Sequence, residues 1–166
     1  MNPLLLAAFA AAIALSGAAH AAEPAAAAVV PSERTDASYA PGMGEIMAAT
    51  QMRHAKLWFA GQAGNWPLAS YELDEIEEGL ADAVKYHPVF KQDAPVAAML
   101  DKYTARPLGE LRNAVTAKDA AEFRRSFQHL TQACNGCHQA AGQGFIVIKR
   151  PGPNPFGNQE FAPDGR

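Results

Sequence analysis

The chain has 166 residues, a formal charge of −3, two cysteines and five histidines, with no run of five or more basic residues. That balance excludes the electrostatic footprint of a nucleic-acid-binding protein, and two cysteines are too few for a disulfide-built scaffold. With an N-terminal leader set aside, on the order of 125 residues remain, enough for one domain and not for two.

Residues 1–21, MNPLLLAAFAAAIALSGAAHA, form an apolar run closed by the small-x-small triplet Ala19-His20-Ala21. This predicts a signal peptide and export to the periplasm, although the n-region carries no Lys or Arg. The apolar stretch is shorter than the roughly 20 residues of a membrane span. Residues 22–40, rich in Ala, Pro and Ser, read as a flexible leader.

Four helices are predicted next. The first, GEIMAATQMRHAKLWFAGQAG, places Met43, Ile46, Met47, Thr50, His54, Leu57, Trp58 and Gly61 in one stripe about 140° wide, with Glu45, Met52 and Lys56 pointing away. Gly61, Gly64 and Asn65 end it. Asn65 is placed to cap the second helix, which has Pro67 in its first turn. That helix turns Leu73, Ile76, Leu80 and Val84 inward and Glu72, Glu75, Glu77, Glu78 and Asp82 to water, and His87-Pro88 stops it. Its acidic face reads as solvated surface or as a docking patch for a basic redox partner.

The third helix starts at Asp93-Ala94-Pro95 and is predicted to kink or split at Pro107, which lacks a backbone donor. The fourth is predicted to open with a capping box, Thr116-x-x-Asp119. It carries Phe123, Phe127, Leu130, Cys134, Cys137 and Ala141 on one face, with His138 at the edge. Sustained period-2 alternation is absent apart from the short 145–148 stretch. The fold expected is all-α: an antiparallel up-down-up-down four-helix bundle over 41–144. Residues 145–166, rich in Pro and Gly, follow as an extended tail lying on it.

Both cysteines lie in CNGCH, residues 134–138. C-x-x-C-H is the pattern of covalent c-type haem attachment: two thiols close enough to bond one porphyrin, and a histidine reaching its iron from the same side. A thioredoxin-like dithiol instead opens a helix after a strand, so that the helix N-terminus lowers a thiol pKa. A zinc site requires a further ligand pair at motif spacing, which the chain lacks. Cys134 and Cys137 are therefore the expected haem-c attachment residues, and His138 the proximal iron ligand.

A four-helix bundle with one C-x-x-C-H near the end of its last helix resembles the cytochrome c′ family, including its low-spin methionine-ligated relatives. The resemblance covers residues 41 to about 144; the pentapeptide is its specific element and the rest is architecture. It implies that the first helix faces the sixth coordination position of the iron, and that a homodimer through helices 1 and 2 is possible. Two departures stand out. The basic residue often found four positions after the motif histidine is Gly142 here, and the tail is additional.

On the first helix, Met47 and His54 share the inward stripe but lie seven residues apart, roughly 10 Å along the axis, so one iron takes only one of them. Met47 is the expected sixth ligand, with His54 the alternative and an open site binding NO or CO the third possibility. Gln51 sits between them. The resulting expectation is a periplasmic monohaem electron carrier without catalytic residues, exchanging electrons with a protein partner. A five-coordinate gas-binding haem protein and a haem-free thiol oxidoreductase are the alternatives. Trp58 and Trp66 read as packing residues, and His87 and His129 as capping or surface residues.

Overall fold

The computed structural model describes residues 39–91 and 93–163. The expected signal peptide, and the leader as far as residue 38, lie outside the described residues. The described residues are all-α apart from one small hairpin. Helix α1 spans Met43–Gln62 and α2 Trp66–Tyr86; strands β1 (Val89–Phe90) and β2 (Ala94–Pro95) pair antiparallel; α3 spans Val96–Ala117 and α4 Ala120–Ala140. None of these helices is long and apolar enough to cross a membrane.

The helix ends follow from local chemistry. Asn65 accepts the Leu68 amide through its side chain, with Pro67 in the first turn, as the sequence predicts. Three helices close with paired 6→1 and 5→2 backbone bonds around a left-handed residue. At α1 this residue is Gly64 (φ 71°), at α4 Gly142 (φ 69°), and at α3 the non-glycine Lys118 (φ 57°). Two expectations are corrected here. Asp119 itself caps α4, accepting the Ala121 and Glu122 amides, while Thr116 belongs to α3 and caps nothing. And Pro107 does not split α3, which runs through it as one helix from Val96 to Ala117.

Helix α1 packs chiefly on α2 and α3 on α4, with further contacts between α2 and α3 and between α1 and α4. The larger core cluster joins Leu57, Trp58, Leu73, Leu111, Phe123 and Phe127. Gly61 is inside α1 because Phe123 lies against it: a Cβ there would sit 2.1 Å from the ring. A smaller cluster around Ile46, Ala83 and Val96 lies apart from the first. The asymmetry originates in α4. Its first half supplies Phe123, Phe127 and Leu130, whereas its second half offers small side chains at Ala133, Cys134, Gly136 and Cys137, too little volume to close the core.

One residue of the acidic face departs from expectation. Glu72 is 1 % exposed and faces inward, because Arg53 of α1 reaches it at 3.3 Å and also binds Glu75 at 2.8 Å. Asp74 and Glu77 are engaged by Arg112 of α3, so much of this surface charge is compensated within the fold. The tail is ordered onto the helices. Phe161 is buried, with its ring 5.5 Å from that of Phe59; Asn65 donates to the Ala162 carbonyl; and Arg150 lies over Trp58.

Candidate functional site

Where α4 runs out of bulky side chains, a cavity of about 510 Å³ opens, within the range typical of sites for organic ligands. Its walls are mainly apolar, and all four helices contribute to them. Cys134, Cys137 and His138 line it from α4, and Met47, Gln51 and His54 from α1. The structure thus brings the CNGCH thiols and imidazole and both sixth-ligand candidates, Met47 and His54, to one space. His87 and His129 stand outside it: His87 donates to the Pro41 carbonyl, and His129 pairs with Glu110 on the surface.

The two thiols belong to the last two turns of α4 and are not joined in a disulfide. Burial pushes Cys134 up to about 11, with the neighbouring Cys137 adding to the effect, and burial raises Cys137 as well. A redox-active dithiol requires the opposite, a thiol pKa lowered toward neutrality by a helix N-terminus or a cation. Gly136, between them, accepts the ring of Tyr103, whose Cδ1 would lie 3.1 Å from an added Cβ. That glycine brings α3 close to the motif.

His138 is fixed from behind. Its Nδ1 lies 3.0 Å from the Ile146 carbonyl. A carbonyl only accepts, so Nδ1 carries the proton and Nε2 keeps the lone pair, the form in which histidine ligates a metal. His54 is in the contrary state. Thr131 gives its one proton to the Phe127 carbonyl at 2.9 Å, so the 2.9 Å contact between Thr131 Oγ1 and His54 Nε2 has His54 as donor. Burial lowers the His54 pKa to about 4, and its ring packs 4.4 Å from that of Phe127. It is therefore a neutral core histidine whose Nε2 is occupied by a proton and a hydrogen bond.

Met99 and Lys91 are among the lining residues that the sequence did not single out. Met99 of α3 places a third thioether on the cavity wall beside Met43 and Met47, and its spacing from Val96 and Thr104 puts all three on one helical face. Lys91, from the β1–β2 hairpin, is the only Lys, Arg, Asp or Glu on the wall among the described residues. Nothing in the local pattern of that short loop announces it. Among the described residues, no three His, Cys, Asp or Glu side chains converge to hold a bare metal ion. A porphyrin-held iron asks for one or two protein ligands, which this donor set provides. Neither a protein-family model, nor a curated protein, nor a solved structure matches this chain.

Proposed function

We propose that this chain is a periplasmic monohaem c-type cytochrome, built as an antiparallel up-down-up-down four-helix bundle, that carries electrons and performs no catalysis of its own. The observation that carries this reading is that both thiols and the imidazole of CNGCH share one apolar cavity with Met47 of another helix. The ring of contacts from α1 to α2, α3, α4 and back to α1 supports the bundle. The resemblance to the cytochrome c′ family rests on the pentapeptide and this arrangement.

A haem attached there supplies a one-electron iron couple. Cys134 and Cys137 are its covalent anchors. His138 offers Nε2 as the proximal ligand, held by the Ile146 carbonyl. Met47 offers a soft thioether on the side that the resemblance assigns to the first helix, and His/Met ligation raises a haem potential. His54 remains neutral as the donor to Thr131, which favours Met47 over it. The apolar lining suits the faces of a porphyrin, and Lys91 suits an acidic edge of the bound group. Electrons would be exchanged with a protein redox partner across whichever edge remains open, and the resemblance allows a homodimer through α1 and α2.

The deciding experiment is the visible spectrum of protein matured in a haem-attaching host, oxidised and reduced, with and without CO. The reading expects covalent haem, a low-spin reduced form unmoved by CO, and the long-wavelength sulfur-to-iron band of methionine ligation in the oxidised form. Low-spin haem without that band points to His54. A high-spin form that takes up CO points to an open site and gas binding. Competently matured protein without covalent haem overturns the reading and returns attention to the dithiol.

A further inference from the structure

The second residue of CNGCH has a task of its own. The Asn135 carboxamide donates to the Ile148 carbonyl at 2.8 Å and accepts the Ile148 amide at 2.7 Å. This is the two-bond exchange of an antiparallel β-pair, with a side chain standing in for one strand. Asn135 and His138 are three residues apart and share a face of α4. The returning chain therefore passes both: Ile146 bonds to His138 and Ile148 to Asn135. Gly142, at φ 69°, makes the reversal possible, which gives a reason for glycine where the resembling family often carries a basic residue.

Burial holds only one side of this strap, where Ile146 and Ile148 line the cavity. Phe145 is 79 % exposed and Val147 70 % exposed, so alternate side chains of the segment gain little from packing. We infer that Asn135 is a positioning residue: by clamping Ile148 it keeps the Ile146 carbonyl on His138 Nδ1 and so fixes the tautomer and orientation of the imidazole. The inference rests on the cytochrome reading for its consequence, since the hydrogen bond strengthens His138 as a donor to oxidised iron. Asparagine suits the position because it carries a donor and an acceptor at the right reach. Aspartate lacks the donor, and alanine lacks both.

The test uses the matured full chain as wild type, Asn135→Ala and Asn135→Asp. Asn154→Ala serves as a control elsewhere in the tail, where the side chain holds only the Phe156 amide. Reduction potential and exchange of the His138 Nδ1 proton, followed in ¹⁵N-histidine-labelled protein, are the readouts. Asn135→Ala should speed that exchange about tenfold or more and raise the potential. Asn135→Asp should fall between it and wild type, and Asn154→Ala should match wild type. Haem-loaded Asn135→Ala with wild-type exchange and potential overturns the positioning role while leaving the cytochrome reading intact. If the wild type carries no haem, the cytochrome reading fails instead. Proton exchange in the haem-free full chain then still decides the clamp, and equal rates in wild type and Asn135→Ala sink it.

Discussion

The imidazole of His54 gives its Nε2 proton to the hydroxyl of Thr131, joining α1 to α4 beside the cavity, and Thr131 passes its own proton to the Phe127 carbonyl. Since His54 holds a pKa near 4 against an ordinary value of 6.5, the unfolded chain takes up a proton between those limits that the folded chain refuses. Stability from this residue is therefore complete above about pH 6.5 and is lost as the pH falls toward 4, by up to about 3 kcal/mol. Denaturant titrations at pH 7, 6, 5 and 4 should show a steeper decline for wild type than for His54→Leu; parallel declines would refute the neutral buried histidine. Thr131→Val, which strands the buried N–H, should cost about 1–3 kcal/mol at pH 7.

Met47→Leu removes the proposed sixth ligand with little change in volume. The matured variant should become high-spin and bind CO, whereas Met99→Leu and His54→Leu should stay low-spin. A low-spin Met47→Leu protein would pass the role to another residue on the cavity wall.

Gly61→Ala places a methyl carbon inside the Phe123 ring, 2.1 Å from Cζ, at the crossing of α1 and α4. The expected loss is about 1–3 kcal/mol, with a lowered Tm. Phe123→Leu on the same background should recover part of it. Additive losses in that double variant would show that the two residues do not meet.

Arg53 is the cation beside a glutamate that is 1 % exposed. Arg53→Leu leaves the Glu72 carboxylate buried without its partner and should cost about 2 kcal/mol. The double variant Arg53→Leu/Glu72→Gln should be milder than Arg53→Leu alone, because no charge is then stranded. A double variant at least as unstable as the single one would rule out the ion pair as the cause.

Lys118 ends α3 in the left-handed conformation, which costs a non-glycine residue about 1 kcal/mol. Lys118→Gly should raise stability by a comparable amount in a urea titration. A destabilised variant would mean that the αL strain is absent.

Much of this protein was legible from local pattern. The apolar spacing of α1 and α2 and the Asn65 cap with Pro67 behind it are short-range properties, decided by residues within a few positions of one another. The errors lie where a distant residue intervenes. Glu72 has the spacing of a surface carboxylate, yet Arg53 on another helix draws it inward. Thr116 resembles a cap, but α3 gains more by continuing through it to Lys118. Met99 and Lys91 reach the cavity only because α3 and its hairpin close over the small residues of α4. The tail shows the same division. Its Pro and Gly content marks it as non-helical, but only the folded chain brings Ile146 and Ile148 beside His138 and Asn135. Hydrogen bonds between segments depend on where the backbone places their donors and acceptors, and no local periodicity encodes that distance.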